Sequence, residues 1–299
     1  MTEGGPRAQD MFRPGHGACP GCGEALAMRL VLRALGPRTA VVVVPSCAAV
    51  IAGVHPHAAL KVPAFLAAFE TAAASAAGLA NAFRVQGIED VVVLALAGDG
   101  GTFDIGLQSL SGAAARNDDF LYVCLDNEAY MNTGIQVSSA TPRHAWTGTS
   151  PAGQPGRKKQ IMEIMAAHRV PYAASASIGF PKDLEAKVRK ARAIRGTRFI
   201  HLLSPCPTGW RMAEHLAPKA GLLAVETNIF PLYEIEDGLN YTINHSSRGL
   251  PVEEYLSFQG RFQHLTPDQI REIQAETDRA WQALLERASA AELRAGGQR

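Results

Sequence analysis

The sequence predicts an α/β protein with a parallel sheet covered by helices on both faces, because short apolar runs alternate along it with segments of helical periodicity. The runs 39–44, 91–97, 120–125, 172–176 and 199–203 are almost continuously apolar, as strands buried on both faces must be. Helices are predicted over 23–35, 69–84, 104–116, 160–168 and 181–195, each with apolar residues spaced to form one stripe. In the last of these, Asp183 and Glu185 come early and Lys190 late, which suits the helix dipole and reads as a solvated face.

With 299 residues the chain can bury one large core. Its formal net charge of +1, without a basic stripe, speaks against nucleic acid or an anionic membrane surface as a partner. No stretch approaches the roughly 18 apolar residues of a membrane span, and residues 1–9 are polar without the apolar core of a secretion signal, so a cytoplasmic protein is expected. Residues 141–159 are too rich in Pro, Gly, Ser and Thr for regular structure and read as a loop over a site. Beyond residue 220 the pattern loosens. Residues 228–260 read as an extended arm over a partner. Thr266-Pro267-Asp268-Gln269 then signals an N-cap, a proline at the first helical position and a capping-box glutamine. Ile270, Ile273, Trp281, Leu284 and Leu285 form the stripe of that last helix, and the tail after Leu285 is expected to fray.

Chemistry enters at the carboxyl ends of two predicted strands, where open α/β sheets bind ligands. The run 91–97 is followed by Gly98-Asp99-Gly100-Gly101, and 26 residues after Gly100 the run 120–125 is followed by Asp126-Asn127. Glycines there let backbone N–H groups approach phosphate oxygens. Asp99 and Asn127 offer hard oxygen ligands, and magnesium needs few protein oxygens because phosphate and water complete its octahedron. The pairing resembles the thiamine diphosphate motif, GDG followed by N.

The five cysteines are an odd number, which argues against a disulfide framework and toward metal binding or chemistry. Cys19-Pro-Gly-Cys22 is a C-x-x-C, Cys47 follows the first predicted strand, and Cys206 follows the last in Ser-Pro-Cys-Pro. Prolines and glycines beside them fix turns and leave N–H groups free to point at sulfur, as iron–sulfur sites require. A structural zinc site also takes four thiolates, usually from two knuckles, and a redox C-x-x-C would leave Cys47 and Cys206 unused. Cys124 lies within an apolar run and reads as a small buried hydrophobe.

With both constellations, the chain resembles the β subunit of the 2-oxoacid:ferredoxin oxidoreductases, the pyruvate enzyme most closely. Gly17-Ala-Cys-Pro-Gly-Cys-Gly-Glu24, Cys47 placed 25 residues after Cys22, Asp126-Asn-Glu-Ala-Tyr-Met-Asn-Thr-Gly134, Cys206-Pro-Thr-Gly-Trp210 and Ala224-Val-Glu-Thr227 carry the likeness. The stretch Lys61-Val-Pro-Ala-Phe-Leu-Ala-Ala-Phe-Glu70 departs from the family's Thr-Gly-Pro-rich segment, and Pro45-Ser-Cys-Ala48 from its usual Gly-Cys-Ser. The resemblance implies the thiamine diphosphate-binding fold over 10–220 and a C-terminal arm and helix over 221–299, packed on that domain or on a partner. It implies that Gly98, Asp99, Gly100 and Gly101 bind the diphosphate, and that Asp99, Asn127 and the Ala129 carbonyl hold Mg2+. Cys19, Cys22, Cys47 and Cys206 would hold one 4Fe-4S cluster. Asn132 and Thr133 would lie near the reacting thiazolium and substrate, with Glu24 and Glu70 close to the cofactor.

The implied reaction is oxidative decarboxylation of a 2-oxo acid, pyruvate first, with coenzyme A taking the acyl group and electrons leaving through the cluster to ferredoxin or a similar acceptor. Branched-chain, aryl (phenylglyoxylate-like), 2-oxoglutarate and oxalate substrates share that chemistry. The implied partners are an α subunit supplying the pyrimidine-binding domain and a ferredoxin-like subunit with further iron–sulfur clusters. A non-oxidative thiamine lyase with structural zinc, and a pure electron-transfer subunit, are the other readings of the same residues.

Overall fold

The structure, a computed structural model, describes residues 10–296. The expectations for residues 1–9 and for the last three residues of the tail lie outside the described residues. In chain order the elements are α1 (Gly23–Leu35), β1 (Thr39–Val43), α2 (Cys47–Ala52), β2 (Ala64–Leu66), α3 (Ala72–Val85), β3 (Val92–Gly98), a π-helical turn (Gly100–Ile105) running into α4 (Leu107–Arg116), and β4 (Phe120–Asp126). There follow α5 (Ile161–Ala167), β5 (Tyr172–Ser177), α6 (Pro181–Ala193), β6 (Thr197–Leu203), α7 (Pro207–Trp210) and α8 (Ala217–Glu226). The chain ends with β7 (Tyr233–Glu236), β8 (Asn240–Ile243), α9 (Glu253–Leu256) and α10 (Pro267–Gly296).

The strands form one sheet of eight in the order β2-β1-β3-β4-β6-β5-β7-β8. Pairings from β2 through β5 are parallel, and β7 and β8 add an antiparallel hairpin beside β5. Alternate strand residues face opposite layers. Val41, Val43, Leu94, Leu96, Leu121 and Val123 pack under α1, α2 and α6, whereas Val42, Val93, Ala95, Phe120, Tyr122 and Cys124 pack under α3, α4, α5 and α10. Each such Val, Leu or Phe contributes about 1.5–3 kcal/mol when fully buried, which is why these runs carry no polar face. A third cluster, built on Trp210, Phe230, Tyr255, Leu256 and Phe262, seals the end of the sheet beyond β6.

The five predicted strands are present, while α2, β2, α7, α8, β7, β8 and α9 go beyond the prediction, all but α8 six residues or fewer. Where an extended arm is expected over 228–260, the structure has the β7–β8 hairpin and α9 packed on their own domain, because Phe230, Ile235, Val252 and Tyr255 are buried there. The tail after Leu285 is helical through Gly296 rather than frayed, since Leu284, Ala288 and Ala291 are buried against the domain. The capping box forms as predicted: the Thr266 N–H donates to Gln269 Oε1 (2.9 Å) and the Gln269 N–H to Thr266 Oγ1 (3.3 Å). Among the described residues no helix is long and apolar enough to cross a membrane.

Candidate active site

Chain direction across the sheet reverses between β1 and β3, since β1 leads outward to β2 while β3 leads inward to β4. Such a switch point leaves a crevice at the carboxyl ends of the strands. A cleft of about 190 Å³ lies there, lined by Ser46 and Cys47 after β1, by Gly98, Asp99, Gly100 and Gly101 after β3, and by Asn127, Ala129, Tyr130, Met131, Asn132 and Thr133 after β4; Glu24, Pro45 and Phe69 complete it. The residues expected at the thiamine diphosphate site therefore converge, with one exception. Glu70 sits in the exposed turn before α3, where its backbone carbonyl accepts from Ser109 Oγ (2.7 Å), and its side chain does not line the cleft.

The glycines have a steric reason. A methyl on Gly100 would come 2.2 Å from the Tyr130 ring, so the turn after β3 and the segment after β4 can touch only if that position is bare. Tyr130 is held there by donating its hydroxyl to Asp104 Oδ2 (2.8 Å).

Asp99 is buried, and Ser138 Oγ donates to its Oδ2. Burial, reinforced by the nearby Asp126 charge, pushes the Asp99 carboxyl well above the usual range, and the Ser138 hydrogen bond and the Lys158 charge offset this only in part. The Asn127 amide N–H donates to Glu24 Oε1, which leaves Asn127 Oδ1 and Glu24 Oε2 buried without partners. Orphaned buried oxygens of this kind are uncommon in folded proteins. The Ala129 carbonyl accepts one hydrogen bond, from the Met131 N–H (2.8 Å), and keeps a second lone pair. A carboxylate, an unpartnered amide oxygen and a carbonyl on one cleft are the donor set that magnesium on a diphosphate takes, so these residues fit that group.

The turn carrying Asn127 rests on a buried ionic network that sequence reading missed. Asp126 accepts from Lys158 Nζ (2.5 Å) and pairs with His201 Nε2 (2.7 Å); Lys158 also reaches Glu128 Oε1 (2.8 Å), and Arg261 Nη2 donates to Glu128 Oε2 (2.7 Å). Burial would raise Asp126, but Lys158 and His201 outweigh it and hold the carboxyl at about 2. Burial keeps His201 below its ordinary range, so the neutral ring donates its Nε2–H to the Asp126 carboxylate. Two acids against two permanent cations leave the network neutral, whereas removing one partner from such a cluster costs about 3–5 kcal/mol. Lys158 ends the long loop 141–159, so that loop anchors the back of the site rather than covering its mouth; His144 and Arg143 tie it to Glu272 on α10. No local pattern in the sequence pairs Lys158 or Arg261 with residues about 30 and 133 positions away.

The cysteines gather beside the cleft. A methyl on Gly23 would come 2.5 Å from the Pro205 carbonyl oxygen, so glycine there lets the start of α1, with Cys22, press against the segment bearing Cys206. The Gly23 N–H donates to that same oxygen (3.2 Å). Burial pushes the Cys206 thiol up to about 11, with Glu24, Cys22 and Cys19 adding repulsion; burial raises Cys47 further, with Glu24, Cys206, Cys22 and Cys19 contributing. The Gly209 N–H points at Cys206 Sγ (3.3 Å), and the Ala25 and Glu24 amides favour the Cys22 thiolate, although burial lifts that thiol to about 11. Four thiols that sense one another, with amides aimed at sulfur, suit a metal–sulfur group. Among the described residues, no three Cys, His, Asp or Glu side chains close on one point as ligands of a single ion would. Cys47 faces the first cleft, while Cys19 and Cys22 line a wider one of about 560 Å³ with His16, Glu214 and His215. Cys124 is buried within β4, as its sequence context predicts.

A parallel sheet with this motif at its switch point defines a thiamine diphosphate-dependent α/β enzyme, and residues 46–202 match the family described as thiamine pyrophosphate enzyme, C-terminal TPP binding domain. Pyruvate synthase subunit PorB of Methanothermobacter marburgensis is 48% identical over 281 residues, spanning 92% of this chain and 98% of the relative. Ketoisovalerate oxidoreductase subunit VorB of Pyrococcus furiosus is 44% identical over 289 residues, spanning 92% and 93%. Among solved structures, 2-oxoglutarate:ferredoxin oxidoreductase from Magnetococcus marinus matches with a TM-score of 0.57 and 25% identity, over 66% of this chain and 67% of that one. The chain belongs to the β subunits of the 2-oxoacid:ferredoxin oxidoreductases, and is a thiamine diphosphate-binding subunit of a multi-subunit enzyme.

Proposed function

We propose that this subunit takes part in oxidative decarboxylation of a 2-oxo acid, pyruvate in the first place, in which the acid and coenzyme A give acyl-CoA, carbon dioxide, one proton and two electrons. The observation that carries this reading is contiguity: Cys47 lines the same cleft as Asp99 and Asn127, so an electron acceptor held by the thiols borders the place where thiamine diphosphate binds. Thiamine diphosphate, when bound, supplies the carbanion chemistry that cleaves the bond between the acid's carbonyl and carboxylate carbons. Asp99, Asn127 and the Ala129 carbonyl would hold Mg2+ on its diphosphate, and Gly98, Gly100 and Gly101 give its oxygens room. Asn132 and Thr133, exposed at the cleft mouth, are placed to orient substrate, and Thr133 Oγ1 is itself held by Gln136 Oε1 (2.6 Å). Glu24 reaches the cleft from α1 between the two centres.

Cys19, Cys22, Cys47 and Cys206 would hold one 4Fe-4S cluster, with Cys19, the exposed thiol of the four, on the side where electrons leave. An α subunit bringing the pyrimidine-binding domain and a ferredoxin-like subunit complete the assembly, which we place in the cytoplasm. Pyruvate and a branched-chain acid lead the substrate choices because the relatives are named for pyruvate and ketoisovalerate.

Anaerobic viologen reduction by the native complex, with coenzyme A and a panel of 2-oxo acids, tests the reading. Pyruvate or 2-oxoisovalerate should drive reduction, and the chain should carry about four iron and four sulfide per Cys19–Cys22–Cys47–Cys206 set. Decarboxylation without reduction, together with one zinc in place of iron, would leave the non-oxidative lyase instead.

A further inference from the structure

Asn127 O accepts a hydrogen bond from the indole Nε1–H of Trp210 at 2.8 Å. Trp210 is fully buried and closes α7, the single turn whose first flanking residue is Cys206: the Trp210 N–H donates to the Cys206 carbonyl (2.8 Å), and the Gly209 N–H to its sulfur. The indole is clamped on its face by the Arg261 guanidinium, 3.7 Å from the ring centroid, and at its edge by Tyr255. Arg261 in turn is bonded to Glu128, the neighbour of Asn127. The contacts therefore close a circuit, from Asn127 through Glu128, Arg261 and Trp210 back to Asn127. No residue of α7 lines the cleft.

We propose that Trp210 is a positioning residue that locks the turn carrying Asn127 to the turn carrying Cys206, so that the diphosphate site and the thiol site move as one body. The inference rests on the roles given above to Asn127 and Cys206. A buried indole N–H donated to a main-chain carbonyl fixes the peptide from which the Asn127 side chain projects, and losing the donor leaves a buried acceptor unsatisfied. Arg261 and Glu128 hold the same peptide from the other side, and of the hydrogen bonds in this circuit the indole bond is the one that joins it to the cysteine turn.

Two measurements on the whole complex test this. In the native complex, adding Mg2+ and thiamine diphosphate should slow backbone amide exchange over residues 207–211 as well as over 126–131; protection confined to 126–131 would overturn the proposal. In the complex stripped of cofactor, Trp210→Phe, which keeps the ring and its stacking but loses the N–H, should weaken Mg2+-dependent thiamine diphosphate binding about tenfold by calorimetry. Iron and sulfide content should stay unchanged. In an Asn127→Ala background the same substitution should cost nothing further. An undiminished affinity in Trp210→Phe, or the same loss in both backgrounds, would overturn the positioning role. Asn127→Ala binding as tightly as the native chain would instead sink the magnesium assignment, and this inference with it.

Discussion

Glu24 and Asn127, 103 residues apart in sequence, meet at the floor of the cleft, where the amide N–H of Asn127 is taken up by a Glu24 carboxyl oxygen. The bond fixes which way the amide faces. With its NH2 group committed to Glu24, Asn127 can offer only Oδ1, and that atom is the one left without a partner. A residue of the cysteine-bearing segment thus sets which atom the turn after β4 offers to the cleft.

Glu24→Ala should therefore weaken Mg2+-dependent binding of thiamine diphosphate by about ten- to a hundredfold, the usual cost of losing a group that orients a metal ligand. Glu24→Gln, whose amide oxygen can still accept from Asn127, should retain most of the affinity. Calorimetric titration of the two variants decides between an orienting acceptor and a bulk effect of burying a carboxyl.

Gly23→Ala forces a methyl to within 2.5 Å of the Pro205 carbonyl oxygen, and both partners are backbone that cannot rotate away. Overpacking of this kind costs about 1–3 kcal/mol. The expected outcome is a folded subunit of lower melting temperature that has lost most of its iron and, because Glu24 follows Gly23 and orients Asn127, binds thiamine diphosphate more weakly. Native iron content and native affinity together would show that the contact does not tie the two segments.

Cys47→Ser removes one thiol from the group without touching Asp99 or Asn127. Iron content should fall sharply, and viologen reduction with it, while carbon dioxide release from the 2-oxo acid in the absence of an acceptor persists. Unchanged iron by elemental analysis would remove Cys47 from the ligand set.

His201 is neutral in the fold because burial lowers its pKa. Its unfolded counterpart takes up a proton below about pH 6.5, so stability attached to this residue is present above that value and is lost as pH falls toward the folded pKa, at up to about 1.4 kcal/mol per pH unit. Melting temperatures between pH 7.5 and 5.5 should fall less steeply in His201→Asn than in the native chain. Identical slopes would show that another group carries the acid sensitivity.

Much of this was legible in the sequence, for definable reasons. Buried parallel strands must be apolar throughout, so 91–97 and 120–125 announce themselves, and the Gly98-Asp99-Gly100 and Asp126-Asn127 segments that follow them necessarily share a sheet end. Cys19, Cys22 and Cys206 stood out because Pro and Gly beside them mark turns, and the structure brings Cys22 and Cys206 to the Gly23–Pro205 contact beside the cleft. Three things were not readable. β2 is an edge strand whose three residues are all exposed, so burial left no periodic trace in them. The hairpin β7–β8 alternates only over four residues a side and resembles an irregular segment. Lys158, Arg261 and His201 form their network through long-range pairings, in which Lys158 and Arg261 taken singly look like surface charges and His201 like a lone polar residue in an apolar run.

The close approach of Gly23 to Pro205 also orders events during synthesis. Cys19 and Cys22 emerge before the first strand, and Cys206 only after β6, so the thiol group does not exist until the six parallel strands have been made and paired. Closing so long a loop is entropically unfavourable until sheet contacts offset it. A nascent chain therefore presents its C-x-x-C long before Cys206 exists, and a cluster held as proposed would be assembled only on a finished domain.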